Sequence, residues 1–142
     1  MRKIALIGCS ARKKGRGTDN QYYAKCIYTG RNYCFSRDIL MQQYNCENEF
    51  YILSGQHHLL HMNDQIRWYD YYLGNKSERK KKEWAQDTFA RLNSTFDGNL
   101  DDIKFYIFAG NSYTRYLKEM LPHYALFRFN HRQITGDIIE ER

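Results

Sequence analysis

The residues of this sequence best suited to acid–base chemistry are concentrated between positions 54 and 70. That stretch contains Gln56, His57, His58, His61, Asp64, Arg67 and Asp70. An imidazole and a carboxylate can share proton transfer near neutral pH. We therefore expect His57 and Asp70 to be catalytic residues, with Asp70 as a general base or as a hydrogen-bond acceptor for a ribose hydroxyl. The alternatives are a polar surface loop and, for Asp70, a helix-cap or turn aspartate.

A metal site is not expected in this stretch. His57, His58 and His61 lack the HxxxH spacing of a helical zinc site and have no obvious fourth ligand. The four cysteines contain no CxxC pair, which argues against a structural zinc site or a disulfide scaffold. We expect no cofactor.

A second group of reactive residues follows the first apolar run, in the segment CSARKKGRG at positions 9–17. Backbone amides and ammonium groups in such a loop can cradle a phosphate, although the Walker spacing is missing. We expect Lys13 to contact phosphate and Ser10 to donate a hydrogen bond to phosphate or base; a solvated lysine and a small turn residue are the alternatives. Cys9 is either a nucleophile whose thiolate is favoured by these cations or a small buried residue.

Small residues follow two further apolar runs, at Ser54-Gly55 and at Ala109-Gly110-Asn111. We expect Ser54, Gly55 and Gly110 to lie close to a ligand, with the Ser54 hydroxyl hydrogen-bonded to it. Tyr28 and Tyr113 each lie close to a glycine and are expected to stack on a base. The alternative for both is a tyrosine buried in the core.

Alternating strands and helices must position these residues. Apolar runs predict strands over residues 3–8, 50–53, 103–108 and 124–129, and helical spacing predicts helices over 31–44, 78–92, 112–121 and about 134–140. The pattern predicts one three-layer α/β domain over residues 1–142, with a mostly parallel sheet of about four strands and helices on both faces. The three small-residue strand ends should then line one edge of the sheet, where such folds bind ligands.

The net charge of +6 is clustered. The first sixteen residues contain six cations and no acid, and a second cluster, KSERKKK, covers residues 76–82. Clustered positive charge among tyrosines favours a nucleic acid or a nucleotide phosphate as the partner, with solubilising charge as the alternative. No apolar run is long enough to cross a bilayer or to form a signal peptide, so we expect a cytoplasmic protein without a membrane partner.

Several short motifs, in their order along the chain, resemble a known family. They are Cys9-Ser10-x-x-Lys13, Ala24-x-x-Ile27-Tyr28-Thr29-Gly30, Ile52-Leu53-Ser54-Gly55 with Leu59-Leu60, Tyr69-Asp70 and Gly110-x-x-Tyr113. Together they resemble a bacterial and phage family of small domains of unknown function. That family is similar to the YaaA peroxide-stress proteins and, more distantly, to the glycosylase-like domain of archaeal tRNA-modifying enzymes.

The resemblance implies an α/β domain connected with nucleic acids or modified nucleobases. This chain departs from the family pattern Lys-His/Tyr-Gly-Leu-Leu, because Gln56 replaces the lysine and His58 replaces the glycine. If position 58 has a positive φ, His58 costs about 1 kcal/mol there.

Two functions follow from these observations. The first is an enzyme, a hydrolase or transferase acting at a nucleobase or its N-glycosidic bond. The second is a non-catalytic module that binds nucleic acid or senses a nucleotide, including a phage-versus-host regulator. An enzyme requires His57, Asp70 and Ser10 to converge on one cleft, whereas a binding module requires only a basic surface stripe. The sequence leaves the oligomeric state open.

Overall fold

The structure, a computed structural model, describes residues 1–130 and 132–142. Its eight strands are β1 (Arg2–Gly8), β2 (Gln21–Tyr23), β3 (Tyr51–Ser54), β4 (His58–His61), β5 (Gln65–Arg67), β6 (Ile103–Phe108), β7 (Tyr124–Asn130) and β8 (Thr135–Glu141). Its α-helices are α1 (Ala24–Ile27), α2 (Arg31–Gln42), α3 (Glu78–Thr95) and α4 (Asn111–Met120). Short 3₁₀ turns cover Leu73–Asn75 and Leu100–Asp102.

A mixed sheet of six strands forms the centre of the fold, in the order β4-β3-β1-β6-β7-β8. The pairs β3–β1, β1–β6 and β6–β7 are parallel. The outer strands β4 and β8 pair antiparallel with β3 and β7. The two remaining strands, β2 and β5, form a separate antiparallel ribbon.

The predicted α/β class is confirmed, but the prediction of a mostly parallel sheet of about four strands was wrong. The four predicted strands form the parallel centre, and β4 and β8 enlarge the sheet and make it mixed. The helix expected near 134–140 is strand β8, because this segment pairs with β7 along its length, and tertiary pairing overrides local propensity. His131, just before that segment, lies outside the described residues. The segment 18–30, where the apolar and helical patterns predict no strand or helix, contains β2 and α1.

Helices cover both faces of the sheet, because successive strand residues point to opposite sides. On β1, Leu6 packs in a core with Leu92 of α3 and Leu117 of α4. The next residue, Ile7, packs in the other core with Leu40 of α2. Ser77 begins α3 as its cap, because its hydroxyl accepts the Lys80 N–H. Strand β1 is therefore buried on both faces, as parallel strands in such sheets are.

The connections place a switch point between β1 and β6. From β1 the chain passes through α2 to β3 on one side of β1, and it later reaches β6 on the other side. The crossover helices α2 and α3 lie on opposite faces, and α4 shares the face of α3. The carboxyl ends of the adjacent strands β1 and β6 therefore open into a crevice between helices of both layers. Among the described residues, no helix is long and apolar enough to span a bilayer.

Candidate functional site

A cavity of about 430 Å³ lies at the carboxyl ends of β1 and β6. Its walls are the loop after β1, the first residues of α2, the end of β6 and the start of α4. This is the switch point of the sheet, where open α/β folds bind ligands. The sequence-based expectation that these strand ends share one edge is confirmed by residues 8–10 and 109–110, which line the cavity together.

Two helices begin at the cavity. Both α2 and α4 start after a glycine, Gly30 and Gly110, and neither has a side-chain cap. The first N–H groups of a helix have no partner inside it, and they carry partial positive charge. The guanidinium-bearing residues Arg12 and Arg31 also line the cavity. The site is therefore electropositive from both backbone and side chains.

Ser10 joins the β1 loop to the start of α2. Its Oγ accepts the Gly30 N–H at 3.1 Å and donates to the Arg12 carbonyl at 2.7 Å. A Cβ on Gly30 would lie 2.5 Å from the Ser10 Cβ, so the two segments touch only because residue 30 has no side chain. The Ser10 hydroxyl thus shapes the cavity wall through its own hydrogen bonds.

Lys13 does not line this cavity. Its Nζ donates to the carbonyls of Ser10 and Ala11, at 3.2 and 3.0 Å, and lies 4.5 Å from the centre of the Tyr69 ring. Burial lowers the Lys13 pKa, while the nearby Cys9 and Asp70 oppose that shift. These contacts hold the loop in shape, and the predicted phosphate contact of Lys13 stays a prediction.

Cys9 and Tyr113 meet inside the cavity, 3.3 Å apart between the thiol sulfur and the phenol oxygen. The Cys9 N–H donates to the Leu53 carbonyl at 2.9 Å, which fixes the loop against β3. Tyr113 packs edge-on against Trp84, with ring centres 5.1 Å apart. Burial raises the Tyr113 pKa, so its phenol stays protonated and can donate a hydrogen bond. The structure brings these two predicted residues together.

The predicted residues Tyr28 and Ser54 belong to a buried hydrogen-bond network instead. The Tyr69 hydroxyl contacts the Tyr28 hydroxyl at 2.7 Å and the Ser54 hydroxyl at 2.8 Å. Burial raises the pKa of both tyrosines, and only 2% of Tyr28 and none of Ser54 is exposed. A base cannot stack on Tyr28 in this arrangement, so the core alternative applies to it. Gly55 packs beside the Tyr71 ring and does not line the cavity.

The chain matches the model of a family of unknown function, DUF6884, over residues 4–130. This protein belongs to the DUF6884 family. Among the curated proteins and the solved structures compared with it, none matches. The membership agrees with the expected family of small domains of unknown function. The likeness to the YaaA proteins and to tRNA-modifying enzymes rests on the short motifs alone.

The two predicted catalytic residues of this DUF6884 chain lie outside the cavity. His57 lines a separate shallow depression with Trp68 and Tyr69, and its ring packs edge-on against Tyr69 at 5.0 Å. Burial and the nearby Arg91 lower the His57 pKa. Asp70 is exposed, and its charge acts on Lys13. The convergence of His57, Asp70 and Ser10 that an enzyme would need is absent from the cavity.

Sequence reasoning missed several residues that line the DUF6884 cavity, among them Gly30, Arg31, Tyr33 and Phe108. The signal for the first two was present. A glycine directly before a helical pattern, without a capping serine, threonine or aspartate, leaves the helix N-terminus open to a ligand.

Proposed function

We propose that this protein binds a nucleotide, or one nucleotide unit of a nucleic acid, by its phosphate in the cavity between β1 and β6. The observation that carries the proposal is that α2 and α4 both begin there, each behind an uncapped glycine, at the switch point of the sheet. Free amides of two helices provide hydrogen bonds and partial positive charge for an anion. Arg12 and Arg31 add charge-assisted hydrogen bonds that suit a phosphate.

The rest of the cavity suits a nucleoside. Phe108 and Tyr113 are half-buried and line it, so their rings can contact a base or sugar. The neighbouring wall consists of the small residues Gly8, Cys9 and Ala109, which leave room for a flat ring. A volume of about 430 Å³ falls in the range of small-ligand pockets. This arrangement supports the base-contact prediction for Tyr113.

Catalysis at the nucleobase or its N-glycosidic bond is a second proposal. Breaking that bond requires a group that positions water or stabilises the developing sugar cation. Among the described residues that line the cavity, none is a carboxylate or an imidazole, and Cys9 is the reactive side chain present. The geometry therefore favours a binding or sensing module, and the enzyme proposal depends on a ligand that extends from the cavity to His57 or Asp70.

The test uses a matched pair of variants at Asn111, the first residue of α4. Asn111→Pro removes one backbone N–H at a position where helices accept proline, and the extended Gly110 suits the residue before proline. Asn111→Ala removes the side chain and keeps the N–H. Affinities are measured by isothermal titration calorimetry, and nucleoside monophosphates should bind to the wild type more tightly than nucleosides. A hydrogen bond to a charged group is worth about 1.5–3 kcal/mol, so Asn111→Pro should weaken nucleotide binding roughly 10- to 100-fold.

Asn111→Ala should change the affinity less than about threefold, since the amide that binds phosphate remains. Arg31→Ala should weaken binding as well, whereas Lys80→Ala, at an exposed cation of α3, should not. The proposal fails if nucleosides bind as tightly as their phosphates, or if the two Asn111 variants behave alike.

A further inference from the structure

A groove rich in cations continues from the cavity. Ala11 and Arg12 line the cavity and also a neighbouring depression of about 480 Å³. Trp68 lines this second depression and a third one of about 270 Å³. The three depressions are therefore neighbours joined by shared lining residues, and we call them together the track. We call its part beyond the cavity the cationic groove, formed by Arg12, Lys13, Arg16, Arg67 and Trp68.

Trp68 forms the middle of the cationic groove. It follows β5, and the pairing of β5 with β2 fixes its position on the surface. The Arg16 guanidinium carbon lies 5.6 Å from the centre of the indole, and the Lys13 Nζ lies 6.0 Å from it. Trp68 is only half-buried. A partly exposed indole beside two cations is a platform on which a base can stack while its phosphates are neutralised.

The backbone on both sides of Arg16 forms a tight turn that fixes the position of this residue. Gly15 and Gly17 flank it with φ values of 85° and 77°, which favour glycine. The Thr18 N–H and hydroxyl both donate to the Gly15 carbonyl, at 3.0 and 2.7 Å. A Cβ on Gly15 would lie 2.7 Å from the Tyr22 ring, so the turn packs tightly against the protein. Arg16 therefore projects from a fixed turn.

The charge of the whole track has one sign. Its cations are Arg12, Lys13, Arg16, Arg31 and Arg67. Among the described residues that line the three depressions, none is an aspartate or glutamate. The exposed Asp70 acts on Lys13 from outside this lining. Such a track matches the backbone of a polyanion better than the single phosphate group of a mononucleotide.

We propose that the cationic groove binds single-stranded nucleic acid, with one nucleotide in the cavity and a neighbouring base stacked on Trp68. The inference rests on the proposed function of the cavity and extends it from a nucleotide to a polymer. A free nucleotide would occupy the cavity and leave the groove empty. A duplex keeps its bases paired inside, so it cannot offer one to Trp68 without being opened.

The experiment measures three kinds of ligand in parallel on the same protein. Fluorescence anisotropy follows labelled 12-nucleotide strands of thymidine or uridine and a duplex of equal length, and calorimetry follows a nucleoside monophosphate. Trp68→Ala should weaken single-strand binding roughly 5- to 100-fold, the effect of losing one stacked base. Trp68→Phe should stay within about threefold, since an aromatic ring remains. Neither variant should change mononucleotide affinity.

Two further measurements distinguish base stacking on Trp68 from electrostatic attraction to the cations. Arg16→Ala should reduce the salt dependence of single-strand binding by about 0.7 of a logarithmic slope unit, whereas Lys80→Ala should leave it unchanged. The chain has two tryptophans, and Trp84 is only 3% exposed, so quenching by a bound strand should come from Trp68 and disappear in Trp68→Phe. Thermal melts confirm that each variant is folded.

The inference is overturned if Trp68→Ala binds single strands like the wild type, or if the duplex binds as tightly as the single strand. Mononucleotide binding that survives either result leaves the cavity proposal intact. The opposite outcome, in which strand binding depends on Trp68 but no mononucleotide binds at any concentration tested, supports the groove and counts against the cavity.

Discussion

Replacing Gly30 by alanine should destabilise the protein through one steric contact. The new Cβ would lie 2.5 Å from the Ser10 Cβ, well inside van der Waals contact. The φ of Gly30 is −65°, which any residue adopts, so backbone strain does not contribute. Since the Ser10 Cβ is attached directly to the loop backbone, the loop or the start of α2 has to move. Overpacking of this kind costs roughly 1–3 kcal/mol.

Gly110→Ala is the matched control for Gly30→Ala. Gly110 is also the residue before a helix, with φ −67°, and nothing lies within 4 Å of its added Cβ. Both variants lose the same preference for glycine over alanine at a helix N-cap. The difference between their free energies of unfolding in urea should therefore be about 1–3 kcal/mol, or roughly 3–12 °C in melting temperature. Equal stabilities would refute the tight contact.

The steric contact between residues 30 and 10 can also be relieved by changing Ser10. Ser10→Gly removes the atom that the new Cβ would strike, at the cost of the hydroxyl that joins Gly30 to the Arg12 carbonyl. In a double-mutant cycle, Gly30→Ala should therefore cost less in the Ser10→Gly background, with a coupling of about 1 kcal/mol or more. Additive effects would show that the cost of Gly30→Ala arises elsewhere.

Two further expectations concern the chain after β3. His58 has a φ of 64°, a backbone conformation that favours glycine. The His58→Gly variant should therefore be more stable to urea than His58→Ala by about 1 kcal/mol, because both lose the imidazole and only glycine removes the strain. Equal stabilities would show that the strain costs nothing. If the protein releases free base from oligonucleotides, Asp70→Asn should lower single-turnover release roughly a hundredfold without changing the melting temperature. A lower melting temperature with unchanged release would make Asp70 a structural residue.

The central strands of the sheet were predictable because each has a clear signal in its own local sequence. Each is a short, nearly continuous apolar run, as strands buried on both faces must be. The edge strands lack that signal. Strand β8 reads TGDIIEE and is exposed along most of its length. Strand β4 begins at His58, a residue in a backbone conformation that sequence rules assign to glycine. Both edges form through pairing with β7 and β3, which no local pattern encodes.

The candidate site was predictable where it depends on parallel strand ends. Cys9, Ser10, Gly110 and Tyr113 all line the cavity, because the carboxyl ends of adjacent parallel strands must meet at one edge. Strand β3 is parallel to β1 and also ends at this edge, but the residues after it do not line the cavity. There the chain does not enter a helix but turns back as the antiparallel strand β4, so the polar stretch that follows is carried away from the cavity.

The two clusters of positive charge in the sequence differ in their surroundings. In the second cluster, Arg79 and Lys81 pair with glutamates of the same helix, Glu83 and Glu78. Such exposed pairs contribute little beyond solubility. In the first cluster, Arg12 and Arg16 line the track of cavity and groove, where the lining residues described include no acid. Under the proposed function, the charge that would meet a ligand therefore lies on the surface of this track.

The position of the cationic groove bears on the enzyme proposal. His57 lines the depression that shares Trp68 with the neighbouring one, and it does not line the cavity. A mononucleotide held by its phosphate in the cavity would not contact that imidazole, which is absent from the cavity lining. A strand that fills the cavity and crosses Trp68 would reach it. If cavity and groove bind as proposed, catalysis by His57 requires a polymeric substrate, and release of base from free nucleotides would exclude His57 from the reaction.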